Sequence, residues 1–289
     1  MSTKISQLLH IFFFPFMAHG HMIPTLDMAK LFTSRGCKTT IVTTPANQSF
    51  FNKAIESTTN LDTQTQILLF KFPSKEVGLP KGCENTHSLT TLDTMPKFFT
   101  ATTTLEQPLE QFIKQHRPNC LVADILFPWA TKLATKHAIP RLVFHGTCFF
   151  ALSASICLMK DQPHKKVFSD SEKFVVPNLP DKIILTTSQL PNYLRQESEL
   201  TNFVREAKES ELTSYGALAD HYRKALGRKA WHIGPAYLSN RNKQDNAKRG
   251  RESSIDMQDC LNWLDSEKPN SVVYVSFGTV ANFKDDQLM

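Results

Sequence analysis

Apolar positions fall into short blocks along the chain, and their period changes from block to block. Residues 8–16, "LLHIFFFPF", are an apolar run broken only by His10 and Pro15. The following "IPTLDMAKLFTSRG" puts Ile23, Leu26, Met28, Ala29 and Leu31 at mostly helical spacing and stops at Gly36, the signature of an amphipathic helix with a glycine end. "CKTTIVTT" is then rich in β-branched residues and reads as a second strand. Strand, turn, helix and strand in that order form a βαβ unit, with parallel strands and a right-handed crossover. The pattern recurs: "ILLFKF" (67–72), "CLVADIL" (120–126) and "RLVFHGT" (141–147) are strand candidates, separated by helical segments near 90–116 and 128–137. A doubly wound α/β sheet follows, which binds ligands outside the carboxyl ends of its strands.

Beyond residue 150 the pattern is looser. "FVVPNLP" and "ILTTSQLP" are extended pieces punctuated by proline, and "ESELTNFVREAKESELTSYG" is charged and helical. Residues 236–254 are polar and linker-like. "SIDMQDCLNWLDSEKP" reads as a helix capped by Ser254 and stopped by proline, and "SVVYVSFGTV" as a buried strand entering a glycine turn.

The strand-end rule gives two histidines a place. His19 and His21 leave the carboxyl end of the first strand, and Asp124 lies late in "CLVADIL". In a parallel sheet those ends share one edge, so residues far apart in sequence can meet in one cleft. From the residues alone other readings stay open. Two histidines in a loop are ordinary surface residues, and Asp124 serves equally to cap the next helix. A His-x-His metal site needs a third ligand from His145 or an acid, and no ligand spacing supports it.

Composition narrows the class. The chain has 289 residues, 41% apolar and 21% charged, enough for one large or two ordinary domains. Its net charge of +6 is spread out, and the one basic cluster, Arg241 to Arg251, is interrupted by acid; no aromatic-basic motif suggests nucleic acid. Six cysteines show no CxxC pair and read as reduced thiols, as expected in the cytoplasm. The apolar start imitates a signal peptide, but His10 and Pro15 break it and His-Gly-His stands where a small-residue cleavage site belongs. No apolar stretch reaches the roughly 18 residues of a membrane span. The first turn, "MAHGHMIP", has no GxGxxG, which argues against a dinucleotide-dependent oxidoreductase.

Five blocks together resemble the plant family 1 UDP-sugar-dependent glycosyltransferases of GT-B fold: "FFPFMAHGHMIPTLDMAKLF", "RPNCLVADILFPWATKLA" (117–134), "IPRLVFHGTCFFAL" (139–152), "FVVPNLP" (174–180) and "CLNWLDSEKPNSVVYVSFGTV" (260–280). Their wording is similar to the branch that glucosylates scopoletin, flavonoids and other phenolics, beside members that take triterpenoid or steroid sapogenins. The resemblance implies an amino-terminal Rossmann-like acceptor domain over 1–235, a linker over 236–254, and the first helix and strand of a UDP-sugar-binding domain over 255–289. It makes His21, in the pattern GHxxP, the catalytic base and Asp124 its partner. His19, Phe16, Met17, Trp129, His145 and Phe149 are then expected around the acceptor, and Gly20, Ser276, Gly278 and Thr279 toward the donor. UDP-glucose is implied as co-substrate, with no metal and no other cofactor, in a monomer acting on a small hydrophobic aglycone.

Two departures from that family stand out. Its uridine- and sugar-holding box has no counterpart here, and "TSYGALADHYRKALG" runs into a helix where a strand is expected. The sequence therefore reads as a truncated member whose residues 255–289 pack poorly. A non-catalytic acceptor-binding module is the alternative to a working transferase.

The chemistry can be argued from the residues as well. A phenol of pKa about 10 is protonated at neutral pH, whereas a neutral imidazole of pKa about 6.5 can take its proton. A carboxylate on the other ring nitrogen stabilises the imidazolium that forms. Direct displacement without a covalent intermediate then inverts the sugar and gives a β-glucoside.

Overall fold

The computed structural model describes residues 8–56, 65–89, 94–217, 229, 231, 238, 255–273 and 275. Its frame is a six-stranded parallel sheet of β1 (His10–Phe14), β2 (Lys38–Thr43), β3 (Thr65–Leu69), β4 (Cys120–Asp124), β5 (Arg141–Phe144) and β8 (Gly216–Ala217), in the order β3-β2-β1-β4-β5-β8. The chain winds outward from β1 in one direction and then restarts at β4 on its other side. The switch point between β1 and β4 is where such a sheet opens a crevice.

Side chains alternate across the sheet with the strand period of two. Ile11 and Phe13 of β1 join a core beneath α1 (His19–Thr33) and α2 (Gln48–Glu56), together with Met22, Leu26, Ile41, Phe51, Val122 and Phe144. Phe12 and Phe14 face the other way. They pack with Phe98, Leu109, Leu121, Ala123, Phe127 and Leu133 against α3 (Met95–Thr103), α4 (Glu106–His116) and α5 (Trp129–Lys136). β1 is thus apolar on both faces because both are covered. Phe13 is completely buried. Phe13→Ala is expected to cost about 3–5 kcal/mol of unfolding free energy, read as a shifted urea midpoint at constant slope.

Several elements differ from the sequence reading. The first helix begins at His19, so both histidines sit in its first turn and not in a loop before it. Helical periodicity was masked there because glycine and two histidines occupy the positions that open the helix. The strand expected over 67–72 starts and ends earlier, at Thr65–Leu69, and the single helical stretch near 90–116 is two helices parted at Thr104 and Leu105. Asp256 caps the last described helix, α9 (Met257–Ser266), by accepting from the amides of Gln258 and Asp259; Ser254 lies outside the described residues. At the end of "TSYG", β8 (Gly216–Ala217) extends the sheet beside β5; the stretch from 218 to 228, where the loss of a strand is expected, lies outside the described residues.

The remaining elements form a flank beyond β5. α6 (Phe149–Asp161) leads into an antiparallel pair, β6 (Lys173–Val176) and β7 (Ile183–Thr186), then α7 (Asn192–Arg195) and α8 (Glu199–Thr213). Phe174 and Val176 turn inward to Leu158 and Leu190, while the opposed pair Val175 and Ile184 faces outward. α8 returns across α5 and carries Ser210 and Glu211 to the sheet. α9 exposes Leu261, Trp263 and Leu264.

Candidate active site

His21 and Asp124 meet at the switch point. β1 is continued by a turn into α1, and the N-cap residue before it, Ala18, has extended backbone (φ −141, ψ 141) and gives no side-chain cap. Pro24 has no amide hydrogen to donate to the Gly20 carbonyl, four residues back, so the first turn is locally open. Along β4, Leu121 and Ala123 join the α3–α5 core and Val122 joins the α1 core. Alternation therefore sends Asp124 to the α1 side, where its Oδ2 lies 2.6 Å from His21 Nδ1.

Asp124 is fully buried, and the His21 side chain retains 26% of its exposure. The second carboxylate oxygen, Oδ1, accepts from the amide of Leu126 at 3.0 Å. Both oxygens are thus occupied, which fixes the carboxylate plane. Burial is the largest influence on His21 and pushes its pKa down, but the charge and hydrogen bond of Asp124 outweigh it, and the net direction is upward from 6.5. Because Nδ1 is taken, Nε2 is the ring nitrogen able to accept a proton. A histidine held this way is a base with a built-in counterion.

Aromatic rings frame it. Phe16 meets the His21 ring edge-on at 5.6 Å and stacks on Phe99 at 5.8 Å, and Phe99 stacks in turn on Phe203 of α8 at 4.2 Å. Phe99 and Phe203 are only partly buried and extend an aromatic row outward from Phe16; their sequence context, one in a threonine-rich stretch and one in a charged helix, gave no sign of this. Gly146 stands on the far side. A Cβ there would come within 3.2 Å of the Gly20 carbonyl, which would have to give way, and within an ordinary contact distance of 3.6 Å of His21 Nδ1, so the β5 loop lies close against the start of α1.

The other expected residues are placed as follows. His19 is buried and turns from His21 toward Phe50 and His87, at ring distances of 5.8 and 5.0 Å. His87 bonds to the side chain of Asn85, itself bonded to Asn47. Met17 and Trp129 are buried in the α3–α5 core, Trp129 beside Phe14 and Phe127. Gly20 is exposed, and a Cβ on it would meet nothing within 4 Å. His145 is buried and pairs through Nε2 with Glu211 Oε1 at 2.7 Å, a second histidine–carboxylate pair one strand away. The Phe149 side chain and the turn with Ser276, Gly278 and Thr279 lie outside the described residues.

Glu211 and Arg141 are the residues that sequence reasoning missed. A charged residue opening the apolar run "RLVF" was the available signal for Arg141; Glu211 is one of several acids on its helix. No group of three metal-ligating side chains is found among the described residues, nor is any described helix long and apolar enough to cross a membrane.

No family model matches the chain. Individual proteins do. It is 50% identical over 293 residues to scopoletin glucosyltransferase of Nicotiana tabacum, covering 97% of this chain and 62% of that protein. It is also 50% identical over 302 residues to UDP-glucose flavonoid 3-O-glucosyltransferase 7 of Fragaria ananassa, covering 100% of this chain and 61% of that one. Among solved structures, Glycyrrhiza uralensis UGT73P12, complexed with glycyrrhetinic acid 3-O-monoglucuronide, superposes with a TM-score of 0.85 at 34% identity, over 98% of this chain and 59% of that chain. The chain spans about 60% of the length of these relatives. Over the share of those proteins that it spans, the chain is similar to plant UDP-glycosyltransferases in sequence and in fold.

Proposed function

We propose that this chain carries the acceptor site and the proton-accepting pair of a UDP-glucose-dependent glucosyltransferase. The acceptor is a hydroxyl of a flavonoid, scopoletin or another phenolic, or of a triterpenoid sapogenin. The observation that supports it most is the 2.6 Å contact between His21 Nδ1 and a fully buried Asp124 Oδ2. An acceptor hydroxyl gives its proton to His21 Nε2 as its oxygen bonds to the anomeric carbon of the sugar. The bond from that carbon to the UDP oxygen breaks, and UDP leaves with the electron pair. One displacement on the face opposite UDP converts the α-linked donor into a β-glucoside. Asp124 holds the imidazolium while the charge develops.

The partly exposed rings of Phe99 and Phe203, backed by the buried Phe16, suit an aromatic or polycyclic aglycone. His19 and His145 are the further acceptor contacts of this reading, with Phe149 at the start of α6. Gly20 presents open backbone toward the sugar, and Ser276, Gly278 and Thr279 approach the phosphates. Residues 1–235 form the acceptor domain, 236–254 a linker, and 255–289 the beginning of the donor domain. The protein works as a cytoplasmic monomer, without metal.

Calorimetric titration of the 289-residue chain with scopoletin and then UDP-glucose, followed by product analysis, tests this. Micromolar acceptor binding, about −8 kcal/mol, with β-glucoside formed, is expected. Acceptor binding without turnover would reduce the chain to an aglycone-binding module, and absence of acceptor binding would sink the reading.

A further inference from the structure

Arg141 is the largest fully buried side chain among the described residues. In the parallel register Leu121 lies opposite Arg141 and Asp124 opposite Phe144, so the guanidinium must run lengthwise along the strands to reach the end of β4. There Nη2 donates to the backbone carbonyl of Asp124 at 2.8 Å. Nη1 donates to Thr131 Oγ1 of α5 and, at 3.4 Å, to Ser210 Oγ of α8. Thr131 is further tied to α8 by its hydroxyl, which donates to the Ser210 carbonyl at 3.0 Å.

These partners lie on the α5 and α8 side of the sheet, whereas the Asp124 carboxylate points to the α1 side. The arginine thus grips the backbone of Asp124 from behind while His21 engages its side chain from in front. The arrangement is poor as a means of stability alone. Its hydrogen bonds to Asp124, Thr131 and Ser210 end on neutral oxygens, Nε is buried without a hydrogen-bond partner, and a buried cation loses its hydration. Burial accordingly pushes its pKa down to about 10, against the opposing charges of Asp124 and Glu211. Glu211 is itself shared with His145 and, at 3.6 Å, Lys208. An apolar residue of similar volume would fill this place at no such cost.

We propose that Arg141 is a positioning residue for the His21–Asp124 pair: it pins the carboxyl end of β4 from the opposite face of the sheet and so fixes the direction in which Asp124 presents its carboxylate to His21. The catalytic consequence rests on His21 being the base. The positioning itself does not, because it can be read without turnover.

The test is a nuclear magnetic resonance titration of the histidine rings in the 289-residue chain, with His21→Gln identifying one signal among the ten histidines. With the anchor lost in Arg141→Met, the His21 pKa is expected to fall by about 1 unit, because burial then acts on a ring whose carboxylate has lost its aim. Arg141→Lys should recover part of the shift. An unchanged His21 in folded Arg141→Met would overturn the proposal, leaving a purely structural arginine. A rise would overturn it too, since that is what removal of a nearby like charge produces. Should Arg141→Met not fold, the Thr131→Val, Ser210→Ala double variant removes the acceptors of Nη1, along with the bonds of those two hydroxyls to the Ser210 and Ala207 carbonyls, and leaves Nη2 on Asp124; a smaller fall is expected, and no change refutes the anchor. Failure of the base itself would show elsewhere, as sugar transfer that survives His21→Gln.

Discussion

His21→Gln is expected to lower glucosyl transfer by about 10²–10⁴-fold while scopoletin still binds. Glutamine is the informative substitution. Alanine would leave the Asp124 carboxylate buried with only the Leu126 amide as a partner, and an uncompensated buried charge destabilises the fold by itself. The glutamine side chain can donate to Asp124 much as Nδ1 does, but its amide accepts no proton at neutral pH. Loss of turnover then reports the missing base and not a collapsed site. Thermal melting should differ little between the two proteins, and calorimetry should return a similar acceptor affinity, because Phe99 and Phe203 are untouched. A Gln variant that kept the wild-type rate would remove His21 from the mechanism. A rate lost together with acceptor binding would move His21 from catalysis to recognition.

How far the sequence foretold this site depends on which physical signal each residue carried. The sheet was legible because β1, β4 and β5 are covered on both faces and appear as short apolar runs with a polar residue only at an end. The meeting of His21 with Asp124 was legible because parallel strands bring their carboxyl ends to one edge. Which of two histidines faces the carboxylate was not a matter of pattern. His19 and His21 are two positions apart on a helix, hence turned well away from each other, and only the resemblance to a known family separated them. The start of α1 was misplaced because an uncapped helix opening with His-Gly-His carries no capping signal. Arg141 and Glu211 escaped for a different reason. Their roles depend on α8 crossing back over α5, a tertiary contact that local periodicity does not encode. The aromatic wall shows the same limit: Phe16 was legible from its place beside the histidines, whereas Phe99 and Phe203 come together only through that crossing.

Asp124→Asn is expected to lower transfer by about 10²-fold or more and, as its distinguishing mark, to reverse the direction of the His21 pKa shift. Asparagine keeps the shape of the side chain and can accept from the Leu126 amide, so the end of β4 should be preserved. What disappears is the charge that outweighs burial at His21. Burial then acts unopposed, and the ring pKa drops below 6.5. The limb of the pH–rate profile that reports deprotonation of the base should therefore move from above 6.5 in the wild type to below it in the variant, while the plateau falls because the imidazolium has lost its counterion. Stability follows by linkage. A histidine whose folded pKa is raised contributes stability that is fully present below its unfolded value of about 6.5 and is lost as pH rises through the folded value. The deficit of Asp124→Asn relative to wild type should accordingly be larger at about pH 5.5 than at about pH 9, measured as the difference in urea midpoints. A deficit independent of pH would mean that the 2.6 Å contact is an ordinary neutral hydrogen bond, and the case for a base held ready by a buried carboxylate would fall with it.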